Sequence, residues 1–226
     1  MSLPCTGEPG AKHRAISASH IRPTMDTLYY IGDPMCSWCW GFAPALETIE
    51  AQLPETIACR YVMGGLARDT DEAMPADTRA YVQENWRAVQ ERTGASFNWD
   101  FWTQCQPRRA TYPACRAVLA AAEQNAGPAM FRRIQQAYYQ QARNPSDQDT
   151  LIDLSAALGL DQPRFAGDLV SPHIEQRLQD DFILRRRLGA SSFPSLILEV
   201  DGRPHWLVRG YDDVEIVLER LRAILR

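Results

Sequence analysis

Leu28-Tyr29-Tyr30-Ile31-Gly32-Asp33-Pro34-Met35-Cys36-Ser37-Trp38-Cys39-Trp40-Gly41 is the stretch that decides how the chain is read. Residues 27–31 are apolar and β-prone and read as a buried strand, which Gly32-Asp33-Pro34 breaks. A helix is expected from about residue 36 to 53, with Phe42, Leu46, Ile49 and Leu53 at helical spacing on one face. Cys36 and Cys39 therefore stand three positions apart at a helix start, where a disulfide closes within one turn. Unpaired backbone N–H groups and the positive end of the helix dipole favour the thiolate there, and thiolate is the form that attacks disulfides. Pro44 falls five residues after Cys39 and is expected to bend the helix.

Outward from this point, residues 56–63 read as the next strand, ended by Gly64-Gly65, which completes a β-α-β unit. Residues 67–181 read as helical. Tyr81, Val82, Trp86 and Val89 form one apolar stripe. A second helix follows Thr111 with Pro113 in its first turn, and turns Cys115, Val118, Leu119 and Ala122 inward. Gly127-Pro128 separates it from a third, carrying Met130, Phe131, Ile134 and Tyr138. Shorter helices are expected over residues 150–158 and 163–169. A longer one over 172–188 is striped by Ile174, Leu178, Phe182 and Leu188, with Gly189 as its stop. Strand character returns at 195–200, Asp201-Gly202 signals a hairpin, 205–208 returns, and a helix over 212–225 closes the chain. The order is β-α-β, a helical block, then β-β-α.

The chain has 226 residues, enough for one domain or one domain plus an insertion. Its 45% hydrophobic and 23% charged content is that of a soluble globular protein. A net charge of −4 argues against a general nucleic-acid binder. No apolar run approaches the roughly 20 residues that span a bilayer. The first 25 residues hold no continuous apolar stretch of the kind a secretory signal needs. They read as a flexible tail, with Met25 as a candidate natural start. The expected compartment is the cytoplasm, where a CxxC is more often catalytic or metal-binding than structural.

Four features in order carry a resemblance: CxxC between strand and helix, Pro44 in that helix, Phe193-Pro194 just before the third strand, and the helical block between the two halves. With them the chain resembles the DsbA-like branch of the thioredoxin superfamily, and within it the cytosolic group of predicted protein-disulfide isomerases and relatives of FrnE. The resemblance implies an α/β thioredoxin fold interrupted by an all-helical insertion. Residues 26–66 and 182–226 would form the thioredoxin-like domain, residues 67–181 the insertion domain, and residues 1–25 the tail. It implies thiol–disulfide oxidoreductase or isomerase chemistry, with Cys36 as nucleophile and Cys39 as resolving thiol. Pro194 would face the pair in cis, and the Phe193 backbone would meet an extended substrate. Ser37, Trp38 and Trp40 would form the rim that accepts protein or small-molecule disulfides. No metal or organic cofactor is implied. Glutathione is a candidate co-substrate, and a glutathione- or thioredoxin-type reductant the implied partner, with neither nucleic acid nor membrane involved. The dipeptide Ser37-Trp38 is neither the Gly-Pro of thioredoxins nor the Pro-His of periplasmic DsbA. Potentials in the superfamily run from about −270 to about −120 mV, roughly 7 kcal/mol, so the direction of electron flow stays open.

Competing readings attach to the same residues. CxxC is also half of a zinc site, for which Cys105 and Cys115 are the available second pair. Kappa-class glutathione transferases and hydroxychromene-carboxylate isomerases share the fold plan, but resemble a pattern with serine at the first catalytic position. A peptide-binding module is the non-enzymatic alternative. Cys115 reads as a buried structural thiol with an accessory redox role as the alternative, Cys59 as core and Cys5 as a tail residue. His13, His20, His173 and His205 have no ligand spacing. Trp86, Trp99, Trp102 and Trp206 read as packing with lining of the inter-domain cleft as the alternative, and Arg185-Arg186-Arg187 as a solvated helix face with anion binding as the alternative.

Overall fold

The computed structural model describes Met1 and residues 26–226. The expectations for residues 2–25, among them Cys5, His13, His20 and Met25, lie outside the described residues. β1 (Asp26–Gly32) buries Leu28 and Tyr30, and leads through a tight turn into α1 (Ser37–Glu50), which buries Phe42, Leu46 and Ile49. α1 stops three residues short of Leu53, which packs from the turn beyond it. Pro44 lies inside α1, where it removes one N–H from the helical ladder. β2 (Ile57–Met63) pairs in parallel with β1, Leu28 opposite Cys59.

Seven helices separate β2 from β3: α2 (Ala76–Thr93), α3 (Phe101–Gln104), α4 (Tyr112–Ala122), α5 (Gly127–Gln140), α6 (Gln148–Ala157), α7 (Gln162–Leu169) and α8 (Pro172–Arg187). β3 (Ser195–Val200) and β4 (Arg203–Arg209) follow, joined at Asp201 (φ 50°) and Gly202 (φ 74°), a turn with positive φ at both central residues. α9 (Val214–Ile224) ends the fold. The sheet order is β2-β1-β3-β4, with β3 antiparallel to both neighbours. The C-terminal β-β-α unit thus returns to the sheet, with β3 beside the strand that leads into CxxC.

The helical block shares its core with the sheet rather than standing apart. Trp86 of α2 is fully buried. Six aromatic rings lie within 6 Å of it: Phe97, Trp99, Phe101, Trp102, Tyr138 and Tyr139. Tyr139 in turn stacks on Trp40 of α1, centroids 5.6 Å apart. α8 lies along the edge strand β2, where buried Asp181 accepts a hydrogen bond from the Met63 N–H at 2.9 Å. An edge-strand donor is thereby satisfied by a side chain of the insertion. A smaller cluster covers the other sheet face, with Ile31, Val62, Ala190 and Ile197 flanked by Leu188, Phe193 and Trp206.

The structure refines the sequence reading in detail. Tyr81 is exposed, not part of the inner stripe. Adjacent residues point about 100° apart on a helix, and Val82, Trp86 and Val89 hold the core face. Gly127-Pro128 marks the break between α4 and α5 from inside the first turn of α5, where proline is tolerated. α3 is a single turn, too short for periodicity to reveal. No helix among the described residues is long and apolar enough to cross a membrane.

Candidate active site

The turn after β1 is held by one buried carboxylate. Asp33 accepts from the Met35 N–H (2.8 Å), the Leu66 N–H (2.8 Å) and the Thr111 hydroxyl (2.7 Å), and the Cys115 thiol faces it at 3.6 Å. These bonds tie the turn to the loop after β2 and to the start of α4. Burial raises the proton affinity of Asp33, while its donors and the charge of Arg109 oppose that rise.

The turn places Cys36 at the N-cap of α1 with extended backbone, and the Cys36 N–H donates to the Asp33 carbonyl at 3.0 Å. Cys36 is slightly exposed at 7%, and its sulfur lies 3.7 Å from the Phe193 carbonyl oxygen. The Phe193–Pro194 peptide bond is cis. Cys39 is one turn further on and 0% exposed, its thiol next to Cys36 and the Tyr30 hydroxyl. Burial, followed by its contact with Cys36, pushes the Cys39 thiol well up. Both cysteines are free thiols here. The pair is therefore asymmetric, with one sulfur at a surface and one behind it.

That surface is a cleft of about 180 Å³ between α1, α2 and the segment before β3. Cys36, Ser37, Trp38, Asn85, Arg109 and Phe193 are among its walls. The Trp38 indole N–H donates to the Asn85 side-chain oxygen at 3.4 Å, joining the CxxC helix to α2. Phe193 rests against Gly64, where an added Cβ would come within 2.8 Å of its ring. Arg185 lies over the rings of Phe182 and Phe193, at 5.4 and 5.5 Å, so this arginine is not on a solvated face. Trp40 is not part of the cleft wall. Two residues along a helix give about 200° of rotation, so Trp38 and Trp40 face opposite ways, and the Trp40 indole donates to the Ser96 carbonyl at 3.1 Å.

The four-thiol zinc arrangement is not assembled. Cys115 is fully buried against Asp33, and Cys105 donates to the Ala142 carbonyl at 2.9 Å. Among the described residues no three His, Cys, Asp or Glu side chains cluster as metal ligands. Burial raises the Cys115 thiol well up and the half-buried Cys59 thiol to about 12. His173 is exposed beside Glu123, and His205 lies half-buried on β4.

A family model described as Thioredoxin matches residues 29–218. The chain belongs to the thioredoxin family. Within the family it is of the DsbA-like kind, with the helical insertion between β2 and β3. A candidate protein disulfide isomerase from Nitrosomonas europaea is similar at TM-score 0.80 and 28% identity, over 89% of this chain and 98% of that one. The cytosolic disulfide reductase DsbM from Pseudomonas aeruginosa is similar at TM-score 0.73 and 30% identity, over 88% of this chain and 100% of that one. DsbM has also been solved with GSH. The ClpXP adapter protein SpxH of Halalkalibacterium halodurans is 25% identical over 178 residues, 75% of this chain and 57% of that protein. The chain thus spans little more than half the length of the curated relatives it matches.

The thioredoxin-fold site has members that sequence reading missed. Asp33 was legible only as a strand breaker and Thr111 only as a helix start. An acid directly between a buried strand and CxxC was the available signal. Asn85 and Arg109 come from the insertion, and no local pattern marks them.

Proposed function

We propose that the protein is a thiol–disulfide oxidoreductase acting through Cys36 and Cys39. The observation that carries this reading is the asymmetric pair: Cys36 opens on the cleft beside the Phe193 carbonyl, with Cys39 sealed behind it. Cys36 thiolate attacks one sulfur of a disulfide R–S–S–R, forming Cys36–S–S–R and releasing one thiolate, R–S⁻. Cys39 then loses its proton and attacks Cys36, forming the Cys36–Cys39 disulfide and releasing the second R–S⁻. The protein loses two electrons and the substrate gains them. A thiol reductant of glutathione or thioredoxin type returns the pair to dithiol, and the same steps reversed oxidise a dithiol. Ser37 and Trp38 line the approach, and the Phe193 backbone meets the substrate chain. A glutathione partner and a cytoplasmic setting are supported by the likeness to DsbM, named as cytosolic and solved with GSH.

The test is a pair of single variants assayed on glutathione disulfide and insulin. Cys36→Ser abolishes exchange, and Cys39→Ser accumulates a mixed disulfide at Cys36, visible by mass spectrometry. Full activity in Cys36→Ser overturns the reading.

A second reading is a protein adapter, favoured by the name of the SpxH relatives. It is separated by the Cys36→Ser/Cys39→Ser double variant. An adapter keeps client binding without the thiols.

A further inference from the structure

Arg109 stands in the cleft with no hydrogen-bonded partner. It is half-buried and lines the same cavity as Cys36, yet it makes neither hydrogen bond nor ion pair with any described residue. It is also the single charged side chain on that cavity's wall among the described residues. The acid whose field it feels, Asp33, directs its oxygens at Met35, Leu66 and Thr111 instead. A guanidinium withdrawn partly from water, with Asp33 near enough to feel its charge but no carboxylate hydrogen-bonded to it, is a costly arrangement. An incoming carboxylate offsets that cost, because its two oxygens match the planar fork of N–H donors. The remaining walls, among them Trp38 and Phe193, suit an apolar or sulfur-bearing body. The cavity has room for a short substrate segment, not for a folded domain.

We infer that Arg109 is the specificity residue of the exchange site, and that it selects disulfides carrying a carboxylate near the reacting sulfur. The inference rests on the exchange reading above and narrows its substrate class to acidic disulfides. The carboxylate comes from a small acidic thiol such as glutathione, or from an acidic residue beside a cysteine in a protein segment. Arg109 contacts the substrate away from the sulfurs, so its removal weakens capture of acidic substrates more than that of neutral ones.

The experiment follows oxidation of the fully reduced protein by glutathione disulfide, which is anionic, and by bis(2-hydroxyethyl) disulfide, which is neutral. Acid-quenched samples are resolved by mass. Arg109→Gln is expected to lose about ten- to hundredfold in second-order rate constant toward glutathione disulfide, as for a lost charge-assisted hydrogen bond, and to lose markedly less on the neutral disulfide. Arg109→Lys recovers part of the loss, since it keeps the charge without the fork. Equal losses on both disulfides, or no loss, overturn the inference. If neither variant folds, the wild-type ratio of the two rates is read against salt. A ratio that falls with ionic strength supports an exposed charge contact, and a constant ratio overturns it. Wild type inert toward both disulfides sinks the exchange reading itself. Calorimetric binding of glutathione to wild type and to Arg109→Gln then decides the subsite alone, with equal affinities overturning it. Peptide disulfides flanked by Glu or by Gln separate the two sources. Discrimination between them assigns the cleft to protein segments, and discrimination confined to glutathione assigns it to the small thiol.

Discussion

The Cys36 sulfur lies 3.7 Å from the Phe193 carbonyl oxygen, a contact between residues 157 positions apart. Gly64 lies under the same residue, and the Phe193 ring tip occupies the space where a Cβ would stand. Gly64→Ala forces Phe193 to move. The expected result is a loss of about ten- to hundredfold in exchange rate, the scale of a small misplacement at a reacting centre. Overpacking costs about 1–3 kcal/mol in a urea titration. Wild-type rates in a folded Gly64→Ala protein would show that the position of Phe193 does not matter.

The second sulfur controls the pH dependence. Burial holds the Cys39 proton well above the usual thiol range, so only a small fraction is thiolate at neutral pH. Release of the second thiol from the mixed disulfide is therefore expected to quicken about tenfold per pH unit between pH 6 and 9. Rapid-quench measurement of glutathione release checks this, and a flat profile contradicts it.

Alkali should also unfold the reduced protein early. Cys39, Cys115, Tyr30 and Tyr139 all bind their protons more tightly when folded, chiefly through burial. The unfolded chain releases those protons first, near pH 8.5 for thiols and 10 for phenols. The stability these groups contribute is complete below those values and is lost as pH climbs past them. Urea midpoints at pH 7.5, 9 and 10.5 are expected to fall, and less steeply in Cys115→Ala. An unchanged midpoint at pH 10.5 would contradict the burial of these groups.

Trp86 is the centre of the aromatic cluster that joins the insertion to α1 through Tyr139 and Trp40. Trp86→Ala removes a fully buried indole and is expected to cost about 3–5 kcal/mol in denaturant unfolding. A cost under about 1 kcal/mol would mean the cluster does not hold the helical block in place.

What was legible in the sequence was local. Strand, breaker, CxxC and helix lie within about two turns of chain, and the Asp201-Gly202 hairpin announces itself through residues that tolerate positive φ. The order of elements follows from such signals. The clasp around Asp33 was not legible, because its partners Thr111 and Cys115 are 78 and 82 residues away. Arg109 carries no periodic signature, and its meaning appears only when α2 and the segment before β3 close around it. Trp38 and Trp40, adjacent but one in sequence, do not share a face, because helical rotation turns the second indole toward Ser96.

β1 receives β2 on one side from its own N-terminal unit, and β3 on the other from beyond residue 190. A chain emerging from the ribosome therefore exposes Cys36 and Cys39 long before Phe193 has been synthesised, and β1 meanwhile presents an open edge. During that interval the two thiols are bare cysteines in a nascent polypeptide, open to any passing oxidant. Completion of the C-terminal β-β-α unit ends that exposure, so the site has a birth order, and its last-made wall decides when selectivity begins.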